Sequence, residues 1–389
     1  MINTHSLRIA SILSIGLLAL ALSPAARATD TPTITISKSD TIAIAIQPIS
    51  GPDGATVSRV LASDLAATGY FTLASPSSAS LVAGGSTSGS ELEGKVSDHS
   101  GRAAVAGTYG GDAHAEAHAF ANDIVQTLTG NRGIAGTKIA FSATRTGRKE
   151  IYVADCDGTA VQQLTHDNSI SVGPTLSPDG HLLAYTGYKA GYADIYLVNL
   201  STGSRDRIVK YPGTNSGAAF SPDGNRIACT LSKDGNPELY VCGLNGGAHR
   251  LTHTPGIESS PTWSPNGDEI IYSYDDHSGP QLYRISSSGG SGEHLSAGYN
   301  YCTEPDWSPD GAKVAFNVRE GGSFAVAVMD LRGGGTRIVA NGERPVWGPD
   351  SRHLIYSDDG ILYLMDVQSG RKKAIISGLG RATEPTWAH

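Results

Sequence analysis

The sequence has 389 residues, with 29 lysines and arginines against 37 aspartates and glutamates, and a formal charge of −8 at pH 7. That balance argues against nucleic acid, which needs a basic face to release counterions, and against anionic lipid surfaces. The 48 glycines make up about 12% of the chain against a usual ~7%, and charged residues are 17% against ~25%, the composition of an all-β chain with many tight turns.

At the N-terminus Arg8 precedes an apolar run of 14 residues, 9–22, which Ser23-Pro24 breaks before the A-x-A site Ala26-Arg27-Ala28. A membrane span needs about 20 apolar residues. The pattern therefore predicts a secretory signal peptide over residues 1–28, cleaved near Ala28, and a soluble, exported mature chain with no membrane insertion. Losing Arg8 and Arg27 but no acid takes the formal charge from −8 to −10. Residues 29–40 (TDTPTITISKSD) alternate Ile34 and Ile36 with Thr33 and Thr35. An extended segment of that kind can add to the sheet edge of a partner.

Residues 29–133 read as a small α/β domain carrying that segment. A strand is expected at 42–49. The helical period of Val57, Val60, Leu61 and Leu65 ends at Gly69, and Tyr70-Phe71-Thr72-Leu73 gives a second strand. Residues 75–100 are rich in Ser, Gly and Ala and read as loose. An alanine-rich helix follows over 112–128, stopped by Gly130.

From residue 138 the grammar changes. A turn word recurs as Ser177-Pro178-Asp179-Gly180, Ser221-Pro222-Asp223-Gly224, Ser264-Pro265-Asn266-Gly267 and Ser308-Pro309-Asp310-Gly311, with a decayed copy at Gly348-Pro349-Asp350-Ser351. Proline presets φ, Asp or Asn bonds back to nearby backbone, and Gly accepts positive φ. No helix or lysine follows at phosphate-loop spacing, so these glycines are turn chemistry. A large apolar residue precedes each word (Leu176, Phe220, Trp263, Trp307, Trp347), and a sixth, Trp387, lies near the C-terminus. The spacings are 44, 43, 44, 40 and 40 residues, the period of propeller blades. Each unit holds four short strands separated by turns. The first unit, opening at Lys138-Ile139-Ala140-Phe141, has no aromatic segment ahead of it, while Thr383-Glu384-Pro385-Thr386-Trp387 has no blade behind it. The fold expected is mainly β: a small α/β domain, then a six-bladed β-propeller over residues 138–389. Its C-terminal strand completes the first blade and so removes open sheet edges.

The order of signal peptide, strand–helix–strand module, a helix ending in Leu128-Thr129-Gly130, Glu150-Ile151-Tyr152-Val153-Ala154-Asp155 and six repeats resembles the TolB family. The resemblance implies a monomeric periplasmic scaffold of the Tol–Pal envelope system, without cofactor, supporting outer-membrane integrity and cell division. It implies contact with a Pal-like lipoprotein at the propeller mouth and with a TolA-like protein through the mature N-terminus. One departure is the Ser/Gly-rich stretch between Leu73 and Asp112, where a strand of the small domain reads as eroded.

Chemistry-bearing residues are few. Gly85-Ser86-Thr87-Ser88-Gly89 has Thr where a nucleophile elbow needs Ser. His114 and His118 stand at i, i+4, but Glu116 between them breaks the zincin spacing, and they read as polar residues of a solvated helix with no metal. Cys156, Cys229, Cys242 and Cys302 show no zinc spacing. Cys229 and Cys242 lie on opposite arms of one hairpin, as a cross-strand disulfide or as two buried thiols. The loops entering the aromatic strands carry Thr214-Asn215, Glu258, Thr303-Glu304 and Thr383-Glu384. Ring symmetry is expected to bring them to one acidic rim, with no histidine or arginine cluster. An alternative reading makes this mouth a propeller enzyme or carbohydrate site, with Glu258 and Glu304 as a carboxylate pair.

Overall fold

The computed structural model describes residues 41–388. The expected signal peptide (1–28) and the segment with Thr33, Ile34, Thr35 and Ile36 lie outside the described residues. Among the described residues no helix is long and apolar enough to cross a membrane.

The first sheet has five strands. Strand β1 (Ile42–Ile46) runs into helix α1 (Gly54–Ala67), which returns to β2 (Phe71–Leu73). Strands β3 (Leu81–Ser88), β4 (Glu91–Asp98) and β5 (Ala103–Gly110) follow, then helix α2 (Ala113–Thr129). The order is β2-β1-β3-β4-β5, parallel around β1 and antiparallel beyond β3. Val57, Val60, Leu61 and Leu65 of α1 are buried at the predicted period. Asp112 caps α2 by accepting from the His114 and Ala115 amides, and Gly130 ends it at φ +72°.

The stretch 75–100, expected to be loose and short of a strand, is instead two of the sheet's strands and the approach to a third. Its small residues are a packing requirement. Leu81, Ala83, Leu92, Val96 and Val105 alternate inward, and Gly94 lies under the Phe120 ring of α2, where a Cβ would stand 3.0 Å from ring carbons. The variant Gly94→Val is therefore expected to destabilise the protein by about 1–3 kcal/mol through overpacking. Urea melts of the variant check this.

Six four-stranded antiparallel sheets then form a ring. Blade 1 takes its inner strand, Ala382–Trp387, from the C-terminus, and that strand pairs with Lys138–Ala143 through Ala382↔Ala143, Thr383↔Ser142, Thr386↔Ala140 and Trp387↔Ile139. The inner strands of blades 2 to 6 are Ser171–Leu176, Asn215–Phe220, Ile257–Trp263, Cys302–Trp307 and Glu343–Trp347. In each full turn word the serine hydroxyl accepts from the backbone N–H five residues on, as Ser177 does from Leu182 at 2.9 Å, and the glycine takes positive φ. The large apolar residues before the words are all buried. Aromatic residues face each other between second and third strands, as in Phe141–Tyr152, Tyr185–Tyr196 and Tyr356–Tyr363, with centroids 5.4–5.7 Å apart.

Blade 3 has Cys229 where its neighbours have that aromatic residue. Cys229 pairs with Tyr240 and Cys242 with Ile227, so the two cysteines meet diagonally, as buried free thiols with Sγ atoms 3.6 Å apart.

Candidate functional site

Every inner strand carries a register shift just before its last residues. Three residues before the terminal apolar residue stand Gly173, Gly217, Ser260, Glu304, Arg344 and Glu384, all left-handed, with φ of +57°, +65°, +51°, +52°, +57° and +57°. Four of the six are not glycine, a conformation that costs free energy for side-chain-bearing residues. This ring of bulges surrounds one end of the central channel, a pocket of about 220 Å³.

Half of the ring is neutral and small, and half is charged. Arg344 bridges the two glutamates, with Nη2 2.9 Å from Glu304 Oε1 and Nη1 3.0 Å from Glu384 Oε1. Glu384 also accepts from Lys149 Nζ at 3.1 Å, Ser142 Oγ at 2.6 Å and the Gly173 amide at 3.0 Å. Burial alone raises its pKa, but Arg344, Ser142 and Lys149 outweigh burial and hold the carboxyl below the usual range. Glu304 goes the other way. Burial pushes it up, and the charges of Glu343 and Glu384 add to that, against Arg344 and an Asn317 amide. Asn317 also accepts from the Arg344 amide at 2.8 Å. The result is a rigid, partly desolvated charge network of two acids and two bases.

Below this ring, Thr175, Ala219, Thr262, Asp306, Val346 and Thr386 form a girdle. Three of its side chains accept from the backbone of the next blade: Thr386 from Leu176, Thr262 from Trp307 and Asp306 from Trp347. Asp306 is pushed up to about 7 by burial, against the hydrogen bonds from Trp347 and Thr262. The far end is an apolar cavity of about 270 Å³ lined by Phe220, Trp263, Trp307 and Trp387 with the turn-word prolines.

Of the residues expected at the mouth, the structure brings together Glu304 and Glu384. Thr303 and Thr383 flank them; Thr303 is half-buried and Thr383 buried. Thr214 is exposed on the loop entering blade 3. Asn215 and Glu258 are not on the rim. Both are fully buried, because they lie five residues before the terminal apolar residue and point into the seams between blades. Asn215 staples its loop through Tyr211 O at 2.8 Å and Ala193 O at 3.1 Å. The pair Glu258 and Glu304 therefore does not share the mouth. Nor is the rim simply acidic, since Arg344 and Lys149 balance Glu304 and Glu384. Arg344 was legible all along: it stands at the same offset before Trp347 as Glu304 before Trp307. Asn317, Lys149 and Ser142 come from other strands and loops and had no such signal.

His118 is also not solvated. It is 7% exposed, with Nδ1 2.8 Å from Asp64 Oδ2 of α1. Burial lowers its pKa, but Asp64 outweighs burial and raises it. Among the described residues no group of three or more His, Cys, Asp or Glu is placed to hold a metal ion.

Comparison with known proteins places this geometry. The family described as TolB beta propeller domain matches residues 125–389. The chain belongs to the TolB propeller family. A TolB homolog of Chlorobaculum tepidum is 48% identical over 96 residues, 24% of this chain and 22% of that protein. A protein of Geobacter sulfurreducens named Tol-Pal system protein TolB is 52% identical over 66 residues, 17% of this chain and 15% of that protein. The matched stretches thus span under a quarter of those relatives' own lengths. The crystal structure of TolB from Acinetobacter baumannii superposes with a TM-score of 0.81 at 24% identity, covering 90% of this chain and 97% of that one. This likeness of fold takes in the small α/β domain as well as the propeller.

Proposed function

We propose that this chain is a non-catalytic periplasmic scaffold of the Tol–Pal system, exported by a signal peptide cleaved near Ala28. In this reading the propeller mouth around Glu304, Arg344 and Glu384 holds a Pal-like lipoprotein. The mature N-terminal segment, with Thr33, Ile34, Thr35 and Ile36, contacts a TolA-like protein, in support of outer-membrane integrity and cell division. The observation that carries the reading is the ring of left-handed bulges. Strain is retained at three charged positions that blade packing leaves free to be glycine, as in blades 2 and 3. The network holds the charges in place before any partner arrives, which limits the ordering cost of binding. Family membership and the names of the matched relatives supply the partner class.

Truncating Arg344 leaves Glu304 without its cation and Glu384 with Lys149 alone. Arg344→Ala is expected to weaken the complex with the Pal-like lipoprotein at least about tenfold, and Glu304→Ala by less, the loss persisting at moderate salt because the charges are partly desolvated. Isothermal titration of both variants decides this. Wild-type affinity at low and moderate salt would move the partner site away from this mouth.

A further inference from the structure

The seam between blades 3 and 4 holds two carboxyl groups out of contact with solvent. Glu238 opens the third strand of blade 3 and Glu258 lies at the start of the inner strand of blade 4; both are 0% exposed. Glu238 Oε1 accepts from Arg250 Nη2 at 2.6 Å and from the Thr254 amide at 3.0 Å, and Glu258 Oε1 accepts from Thr254 Oγ1 at 2.6 Å. The other oxygen of each, Oε2, is buried without a hydrogen-bond partner. Two such orphans in one seam are costly unless something lies between them.

The preceding seam shows what belongs there. Asp194 opens the third strand of blade 2, Asn215 opens the inner strand of blade 3, and Asn215 Nδ2 donates to Asp194 Oδ1 at 3.2 Å. Glu238 and Glu258 occupy the same two places one blade further on. An amide brings its own hydrogen, whereas an ionised carboxylate only accepts. The repeat therefore calls for a donor at Glu258.

We infer that Glu238 and Glu258 form a proton-binding site in which Glu258 Oε2 carries one exchangeable proton and donates it to Glu238 Oε2. The proton sits on Glu258 because Glu238 has the Arg250 guanidinium as well as a backbone N–H to stabilise its charge, while Glu258 has a neutral hydroxyl and its own backbone N–H but no cation. The other groups facing the pair are Tyr272 of blade 4, whose pKa burial and then the two glutamates raise, and Tyr240 of blade 3. Beyond Arg250 lie Asp234, at 4.0 Å from its guanidinium, and Lys233, at 2.7 Å from Asp234. Arg250 is the cation in direct contact with the pair. Burial, and then the neighbouring Glu238, push Glu258 up to about 7 from 4.5. A folded-state pKa above the unfolded one means that the stabilisation is complete below about pH 4.5 and is lost as pH rises through about 7.

Thermal melts of the full chain from pH 5 to pH 8.5 test this in the wild type and in Glu258→Gln, whose amide reproduces the Asn215 donor. The two proteins are expected to melt together at pH 5, and the glutamine variant to melt at least ~3 °C higher at pH 8.5. Taking the difference between them cancels other titrations, that of Asp306 included. A difference that does not change with pH, or a variant destabilised equally throughout, overturns the site. So does a rise in the wild-type Tm alone on adding Ca²⁺ at pH 8.5, which would put a cation between the oxygens. Should Glu258→Gln fail to fold, isotope-edited infrared of the wild type decides. A buried protonated glutamate carbonyl band at pH 6 that disappears by pH 8.5 supports the site, and no such band overturns it.

Discussion

Removing residues 383–389 is expected to lower the melting temperature by at least about 10 °C or to abolish the cooperative transition altogether. The deletion takes out nearly all of blade 1's inner strand and with it Trp387, which is 2% exposed and donates its indole N–H to Thr137 at 2.8 Å. Emptying a site of that size costs about 3–5 kcal/mol on its own. Glu384 leaves too, so Arg344 and Lys149 lose their shared partner and Ser142 its acceptor. The newly bare edge of Lys138–Ala143 exposes unpaired backbone and invites aggregation. A domain whose net stability is about 5–15 kcal/mol has little margin for this sum. Differential scanning calorimetry, with light scattering on the same samples, measures both consequences. A truncated chain that melts within about 2 °C of the full-length protein and scatters no more light than it does would mean that blade 1 is stable without its C-terminal strand.

Such a test can be designed from the sequence because the blades announce themselves locally. Each turn word is its own short piece of chemistry, and the apolar residue before it fixes the end of an inner strand. The charged ring is another matter. Glu258, Glu304 and Glu384 look alike as acids near an aromatic strand, yet Glu258 stands five residues before its aromatic and the other two stand three. The bulge between those offsets turns one side chain into a seam and the others into the channel, and residue types alone do not reveal it. Counting back from the tryptophans does reveal it, and the same count picks out Arg344. Within the small domain only the stretch 75–100 departs from expectation, and for the opposite reason. Its Ser/Gly-rich strands resemble loop by composition, but Gly94 is demanded by Phe120, and at Gly85 a Cβ would stand 2.2 Å from Glu93 O. Residues chosen for close approach across a sheet cannot be told from residues chosen for freedom until the partner is in place.

The other large effect expected is at the junction between the small domain and blade 6. Tyr70, after α1, lies under the Arg352 guanidinium, 4.0 Å from its ring centroid. Arg352 is bidentate to Asp366, with Nε at 2.9 Å and Nη2 at 2.7 Å, and its neighbour His353 reaches Ala67 O through Nε2 at 3.1 Å. Gly69 at φ +68° lets the chain pass; a Cβ there would stand 2.3 Å from Asp366 Oδ2. Side-chain exposures of 10% for Arg352 and 3% for Asp366 make this a buried ion pair, which costs about 3–5 kcal/mol when one partner is removed. Arg352→Ala is therefore expected to lower Tm by roughly 10 °C at pH 7 and to separate the melting of the small domain from that of the propeller. The pH dependence identifies the cause. In the wild type, burial raises the Asp366 pKa, but Arg352 and Ser369 outweigh it and depress it to about 2, so this contribution is present above the ordinary value of 3.8 and is lost as pH falls through about 2. Without Arg352 the same burial acts unopposed by a cation, and the carboxyl takes up its proton at higher pH. The gap between wild type and variant should thus be widest at neutral pH and narrow steadily toward pH 3, where the variant's Asp366 is neutral. A gap that stays constant over that range would assign the loss to the Tyr70 stacking contact, and one below about 1 kcal/mol at pH 7 would place the pair among weak surface bridges.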